Sequence, residues 1–396
     1  MTTARRHILL AWLFLAAGAS ASPACAGALT DWFAVDDAVA HDWRHLTTDD
    51  GKSVTLFRAD AGDAPSKRIF VLYTKRSSAY DTAISRVLRV LAQKDVDASV
   101  TAAIFDGDAA GGERLIAEAV AQRYDLIYSM GSAATAFMHD RFMGGPIPVV
   151  TICSKDPVLL GQLDDYDSGS GRNFAYTSLN VPVEVQLAYL NRLRPDLKNL
   201  VLLYAEQNVS AVETQVRPMA TLAAAAGITV RELGVAERGN AGAELALRIP
   251  AMLTSLREND PELDDSIFWV TGSTSVFREI ATINAHAGPV PVLSVVPEVV
   301  AEGDESAVIS IGVSFESNAH LAALYGIAVL DGAEPGAMPV GLVSPPDIAI
   351  NFRRARHIGL RVPFSFLEGA STIYAPDGRV VRENGKNLAR KLPSDG

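Results

Sequence analysis

The sequence predicts an α/β protein of two lobes, each built on a parallel sheet. Between residues 67 and 295, short runs of β-branched and apolar residues alternate with amphipathic segments of helical period. A passage rich in Gly, Asp and Ser at 164–172 divides this alternation into two sets of four strands. Because strands alternating with helices form parallel sheets with right-handed crossovers, each set predicts one lobe. The 396 residues, 48% of them hydrophobic, are enough for two domains of ordinary size.

The first set of elements lies before residue 153. Its predicted strands cover 68–74, 100–105, 125–129 and 149–152, and its predicted helices cover 77–94, 113–122 and 133–142. The helix over 77–94 is the clearest, since Ile84, Leu88 and Leu91 fall on one face.

The second set repeats this architecture without a residue-level repeat. Its predicted strands cover 200–204, 228–233, 267–270 and 290–295, and its predicted helices cover 210–226, 243–259 and 276–287. We expect Pro250 to kink or split the helix over 243–259, because proline removes a helical hydrogen bond.

The chain after Pro297 predicts a strand at 308–313, a helix at 318–330, a strand at 348–350 and a helix at 352–358. Both lobes are already complete, so this material must return to them. We expect 318–330 to pack on the first lobe and the last strand and helix on the second, which gives three crossings that form a hinge. The expected boundaries are 68–176 with 314–333 for the first lobe and 177–313 with 334–375 for the second. Residues 27–67 are expected to be an acidic, turn-rich lead-in without a long periodic element, and 376–396 a tail.

Residues 1–26 have the pattern of a signal peptide. Arg5 and Arg6 precede an apolar core at 8–17, and small residues up to Ala26 offer cleavage sites. The core is too short to cross a bilayer of about 30 Å. We therefore expect an exported protein in the periplasm. Lipid anchoring at Cys25 is the less favoured alternative, because the preceding residues match a lipobox poorly.

Charge and motifs exclude several classes of function. The net charge of −11 argues against a nucleic-acid partner. Once the leader is removed Cys153 is the only cysteine, and its place in an apolar strand predicts a small buried hydrophobe. The sequence lacks a Gly-x-Ser-x-Gly elbow, a His-Glu-x-x-His pair, a phosphate loop and a dinucleotide fingerprint. We therefore expect no catalysis, no cofactor and no metal site.

Several segments together resemble a known family. They are the run 128–134 (YSMGSAA), the run 147–150 (IPVV), the run 155–158 (KDPV), Asn208 with Ser210, and Ile350-Asn351 followed by Ala355 and Gly359-Leu360. Their succession resembles the ABC transporter substrate-binding family of the tryptophan/tyrosine-binding type, over roughly 68–370. The resemblance implies a two-lobed type I periplasmic binding-protein fold with Rossmann-like lobes, which holds a small ligand between them.

The strand at 149–152 delivers a polar tip, Ser154-Lys155-Asp156, to the sheet edge where ligands bind in open parallel sheets. Asp156 is predicted to accept from an ammonium group, although the dipeptide Asp156-Pro157 by itself is more typical of a turn that starts the next helix. Lys155 either pairs with Asp156 or points away from it, and adjacent strand residues favour opposite directions.

A second feature predicts an anion site. Gly131, Ser132 and Ala133 begin a helix whose free N–H groups and dipole favour a carboxylate. The alternative is that Ser132 is only the N-cap. With Asp156, this helix start would match a zwitterion such as an amino acid.

Further candidates occupy equivalent places. Ser77, Ser78 and Tyr80 follow the first strand, and Thr271 and Ser273 face them from the second lobe, although 271–275 could be just a capped helix start. Tyr176, with Tyr80, is a candidate for an aromatic wall, although tyrosines on strands are more often core. Asn208 is a further ligand-binding candidate, which is implied by the family resemblance.

The resemblance implies a monomeric solute-binding protein whose partners are a small molecule and the membrane permease of an ABC uptake system. A periplasmic sensor that feeds a membrane receptor such as a histidine kinase remains open, because both roles need only a surface that changes on closure.

Overall fold

The structure is a computed structural model that describes residues 29–59, 66–236 and 239–388. The signal peptide expected in 1–26, with Cys25, lies outside the described residues. Within the described residues, no helix combines the length and apolarity needed to span a bilayer.

The first lobe is built on a seven-stranded sheet with the order β1-β2-β4-β3-β5-β6-β7. Its elements are α1 (Asp37–Asp42), β1 (Trp43–Thr47), β2 (Ser53–Arg58), β3 (Lys67–Tyr73), α2 (Ser78–Gln93), β4 (Ala98–Ile104), α3 (Ala109–Ala121), β5 (Leu126–Met130), α4 (Ser132–Phe142), β6 (Val149–Ile152) and β7 (Phe174–Ala175). From β4 to β7 neighbouring strands run parallel. The central strands are buried on both faces, because helices cover both sides of the sheet.

The lead-in expected at 27–67 is part of this lobe. Strands β1 and β2 form an antiparallel hairpin that extends the sheet along β4. Val54 and Leu56 alternate inward from β2, and the rings of Trp32 and Phe33 pack edge-on against Tyr73 with centroids 5.4 and 6.0 Å apart. Each element is only five or six residues long, too short to give a clear periodic signal.

The chain then continues through the second lobe. The elements are β8 (Thr177–Ser178), α5 (Val183–Leu193), β9 (Asn199–Ala205), α6 (Val209–Ala211), α7 (Arg217–Ala225), β10 (Thr229–Val235), α8 (Ala241–Leu256), β11 (Ser266–Val270), α9 (Thr274–Phe277), α10 (Ile280–His286), β12 (Val292–Ser294) and β13 (Ile309–Gly312). A π-helical turn, Val212–Val216, joins α6 to α7, and a 3-10 turn covers Pro297–Val299.

The last part of the chain visits both lobes. Its elements are α11 (Phe315–Leu330), β14 (Gly341–Leu342), β15 (Asp347–Asn351), α12 (Phe352–His357), α13 (Phe364–Gly369), β16 (Ala370–Tyr374), β17 (Val380–Glu383) and β18 (Lys386–Asn387). The second sheet has the order β10-β9-β11-β12-β13-β15-β16-β17-β18 and is parallel from β10 to β13. The predicted fold class, two α/β lobes of the type I binding fold, is confirmed.

Three local expectations differ from the structure. Helix α8 continues through Pro250 without the split that was considered. The helix expected over 276–287 is two shorter helices, α9 and α10. The expected tail from residue 376 contains β17 and β18, which pair with the second sheet, because the turn after Tyr374 folds the chain back as an antiparallel hairpin.

The chain crosses between the lobes after β7, between β13 and α11, and between α11 and β15. Helix α11 lies against α2, β5 and β6 of the first lobe. Two crossing segments also pair directly, since β8 and β14 form a parallel two-stranded sheet. The crossings are therefore tied to one another by backbone hydrogen bonds.

Asn318 fixes α11 to the strand ends. This fully buried side chain accepts from the backbone N–H of Cys153 at 2.7 Å through Oδ1. Its Nδ2 donates to Thr177 Oγ1 at 3.2 Å and to the carbonyl of Ser178 at 3.1 Å. One amide thus joins the helix, the end of β6 and the first crossing.

We expect Asn318→Ala to lower the free energy of unfolding by about 2–4 kcal/mol, because it leaves buried backbone groups at Cys153 and Ser178 without partners. Urea denaturation measures the change. Ser317→Ala, at the neighbouring position whose hydroxyl makes no such bond, should change stability by less than about 0.5 kcal/mol. Equal midpoints for the two variants would contradict the assigned role of Asn318.

Candidate functional site

A cavity of about 120 Å³ lies between the lobes, at the carboxyl ends of the parallel strands. The first lobe contributes the segments after β3, β5 and β6, and the second lobe those after β9, β11 and β12. This is where ligands bind in open α/β sheets. The volume is below the roughly 300–1,000 Å³ of pockets for drug-sized ligands, so in this arrangement the cavity suits a small molecule. Half of the predicted site residues line it: Ser77, Tyr80, Ser132, Ala133, Lys155 and Asn208.

Lys155 is the most unusual residue of this cavity. Its side chain is only 6% exposed and extends to Gly272 of the second lobe, where a Cβ would collide with the ammonium group. Across the described ranges, no hydrogen bond or ion pair is formed by its Nζ, and no Asp or Glu lines the cavity. Burial lowers the pKa of Lys155 from 10.5 to about 8. A buried cation without a partner is costly, and such groups concentrate at functional sites.

The backbone around Lys155 is held by neighbours. Cys153 adopts a left-handed conformation with φ of 53°, in which its N–H donates to Asn318. The N–H of Lys155 donates to Ser132 Oγ at 2.9 Å, and the N–H of Asp156 donates to Asn180 Oδ1 at 3.2 Å. Successive side chains of this extended segment point in opposite directions, so Lys155 faces the cavity.

Asp156 does not line the cavity, and the prediction that it accepts from a ligand ammonium needs correction. Its Oδ1 accepts the N–H groups of Val158 and Leu159 at 2.9 and 3.0 Å, and its Oδ2 accepts from the hydroxyl of Tyr166 at 2.8 Å. The carboxylate therefore stabilises the turn at Pro157, which was the alternative explanation.

The start of α4 forms one wall of the cavity. Gly131 is its N-cap with φ of 85°, and the ring of Tyr80 lies where a Cβ would project, so this position requires glycine. No side chain caps the helix, and Ser132 uses its hydroxyl oxygen to hold Lys155. The eleven-residue α4 thus brings unpaired N–H groups and its positive dipole end to the site.

In the second lobe the predicted residues lie beside the cavity. Thr271 and Ser273 are fully buried: the Thr271 hydroxyl donates to Leu203 O at 3.1 Å, and Ser273 Oγ accepts from Asn208 Nδ2 at 3.2 Å. Their neighbours Gly272 and Thr274 line the cavity instead. Side-chain alternation along 271–274 was the signal that could have found them.

Asn208 reaches the cavity as the N-cap of α6, where its Oδ1 accepts from the Ser210 hydroxyl at 3.0 Å. The π-helical turn that follows presents Gln215, whose Oε1 accepts from the N–H of Gly272 at 2.8 Å. Such turns occur often at functional sites, and no pattern in the sequence predicted this one.

Two further predicted residues lie elsewhere. Ser78 is exposed and borders neighbouring grooves. Tyr176 is buried in the first lobe, where it stacks on Phe174 and bonds to His139 Nδ1 at 2.7 Å. The aromatic side chains missed by the sequence prediction are Phe277 and Phe315, which line the cavity with Tyr80.

The chain matches the family model described as "ABC transporter substrate binding protein" over residues 78–373. It belongs to this family. The resemblance predicted from the sequence is therefore confirmed.

Solved structures show the same fold. A domain in complex with L-Trp from Streptococcus pneumonia has a TM-score of 0.60 and 20% identity, with 78% of this chain and 99% of that chain covered. A conserved domain protein from Vibrio cholerae has a TM-score of 0.60 and 19% identity, with 78% of this chain and 99% of that chain covered. A third similar structure is the ligand-free, open form of a substrate-binding protein with adhesive properties from Clostridium difficile. It has a TM-score of 0.59 and 18% identity, with 77% of this chain and 98% of that chain covered. No curated protein matches the chain.

The parts of the chain that the structure describes contain no cluster of three or more His, Cys, Asp or Glu residues that could hold a metal ion.

For this substrate-binding protein we expect Lys155→Met to raise the free energy of unfolding, without ligand at pH 7, by about 1–3 kcal/mol. The reason is that the variant removes a buried charge whose pKa is depressed to about 8, and each pKa unit corresponds to about 1.4 kcal/mol. Below pH 8 both states of the wild type carry the proton and the cost is fully present. As pH rises from about 8 to 10.5, the folded state releases its proton first, so the wild type gains stability relative to the variant.

Chemical denaturation at several pH values measures this difference. Lys94→Met, at the exposed end of α2 away from the cavity, is the control and should show no such pH-dependent difference. A wild type that is more stable than Lys155→Met at pH 7 would mean that the ammonium has a protein partner.

We expect Asp156→Ala to lower the free energy of unfolding by about 1–3 kcal/mol, because the N–H groups of Val158 and Leu159 and the hydroxyl of Tyr166 lose their acceptor. Tyr166→Phe, which removes only the hydroxyl bond, should cost less. Thermal unfolding compares the two. Unchanged stability together with weakened ligand binding would instead restore the ammonium-binding role.

Proposed function

We propose that this protein captures a small molecule between its lobes in the periplasm and delivers it to the membrane permease of an ABC uptake system. The observation that carries the proposal is the interlobe cavity, where segments from both sheets meet around the buried ammonium of Lys155. The family supplies the link to a permease. Export through the leader at 1–26 and a monomeric state are parts of this proposal.

The ligand is proposed to carry a carboxylate, as an amino acid or a related acid. Support comes from the uncapped start of α4 and from Lys155, which both line the cavity. The L-Trp in the Streptococcus pneumonia structure shows that a protein of this fold can hold such a molecule.

Ligand binding drives closure in this proposal. A molecule that contacts both walls binds more strongly when the lobes are close, so it shifts the population toward the closed form. The three crossings allow the lobes to move while keeping them in register. The closed surface is then what the permease recognises.

The test is a thermal-shift screen with amino acids and small organic acids. A ligand at 100 times its dissociation constant should add about 2.7 kcal/mol of stability. We expect Gly272→Val to fold but to bind at least about 10-fold more weakly, because the added side chain occupies the position of the Lys155 ammonium and fills the cavity.

The melting temperature of ligand-free Gly272→Val reports whether it folds. If Gly272→Val binds the ligand with the affinity of the wild type, the binding site lies outside the cavity. Turnover of a metabolite without any stabilisation would replace transport with catalysis.

A further inference from the structure

We infer that the ligand of the interlobe cavity is a small monocarboxylate with an apolar body and no charged amino group, bound through Lys155. This inference rests on the proposed function and narrows its ligand class from acids in general, including amino acids, to one charge type.

Lys155 brings a buried positive charge to the cavity wall. Among the described residues that line the cavity there is no Asp or Glu. Other polar side chains at the wall carry hydroxyl or amide groups, as in Ser77, Ser132 and Asn208. A ligand anion is therefore matched by the wall, whereas a ligand cation is not.

The position of the Lys155 ammonium indicates where the ligand anion would bind. Its ammonium is enclosed by both lobes and has no hydrogen-bond acceptor or counter-ion among the described side chains. A carboxylate beside it would form the charge-assisted bond that the protein omits. The N-terminus of α4, which begins at Ser132, lines the same cavity, and its dipole favours an anion there.

An ammonium group on the ligand would find no acceptor of opposite charge. Both carboxylate oxygens of Asp156 already accept hydrogen bonds from groups at or near its own turn. Glu298 lies in the neighbouring groove, where its Oε1 accepts the N–H of Phe315 at 2.6 Å. An ammonium in the cavity would thus be repelled by Lys155 without compensation, which disfavours a zwitterion.

Apolar side chains form another part of the wall. They belong to Leu179, Val295, Val296, Phe277 and Phe315. These side chains offer contact area but no hydrogen bonds to a second charged group. One anionic end and an apolar body therefore fit the wall better than a dicarboxylate does.

The experiment uses calorimetry and thermal shift on the mature protein with three matched sets. Each set contains an L-amino acid, the carboxylate that lacks its amino group, and the neutral amide of that carboxylate. The sets are alanine, propanoate and propanamide; leucine, 4-methylpentanoate and 4-methylpentanamide; and phenylalanine, 3-phenylpropanoate and 3-phenylpropanamide. We expect a carboxylate to bind at least about 10-fold more tightly than its amino acid and its amide.

Lys155→Met should reduce that carboxylate affinity by at least about 10-fold, since it keeps an unbranched side chain that is one atom shorter and removes the charge. The control Lys94→Met, which removes an exposed charge outside the cavity, should bind like the wild type.

The outcomes separate the two levels of the argument. Tighter binding of an amino acid or an amide than of its carboxylate, or unchanged carboxylate binding in Lys155→Met, would overturn the inference while leaving the proposed function intact. If no member of the sets binds, the inference fails. If a wider metabolite screen then also finds no ligand, the proposed function fails with it.

Discussion

The amide of Asn318 is the contact on which the geometry of the site depends. It accepts the N–H of Cys153, a residue with left-handed backbone, and donates to the first crossing at Thr177 and Ser178. A non-glycine residue in this conformation costs on the order of 1 kcal/mol or more and persists only where its surroundings hold it. The turn at Cys153 ends β6 and orients the following residues, so the buried amide determines which way Lys155 points.

The buried position of Lys155 lowers the stability of the empty protein and, in the proposed function, favours binding of an anion. Most buried charges in proteins are paired, and this one has no partner in the described chain. A methionine in its place would pack without the cost of desolvation. Under the proposed function, an anionic ligand recovers this free energy when it enters, which makes its binding stronger than in a site whose cation is already neutralised. Local departures from the rules of stable folding are expected at functional sites.

The sequence was informative where elements were long and regular. Strands β3 to β6 and helices α2 to α4 were predicted because apolar periodicity over several turns leaves few alternatives. The hairpin β1–β2 was missed because its strands are short and its stability comes from pairing with β4, a contact that is distant in sequence. At the site, the polar tip after β6 was located correctly, but the direction of each side chain depends on the turn at Cys153. That turn is held by a residue 165 positions away, so no local pattern could decide between the two explanations of Asp156.

In the proposed mechanism, residues at the beginning of α11 take part in both ligand binding and hinge motion. Val313 and Phe315 flank the second crossing and also line the cavity. The N–H of Phe315 donates to Glu298 of the second lobe, while Asn318, one turn later, holds the first lobe. In the proposed closing motion, a ligand that touches Phe315 and Lys155 contacts a segment that bends between the lobes. Because that segment is short and bonded to both lobes, the proposal couples occupancy of the cavity to the interlobe angle through direct contacts.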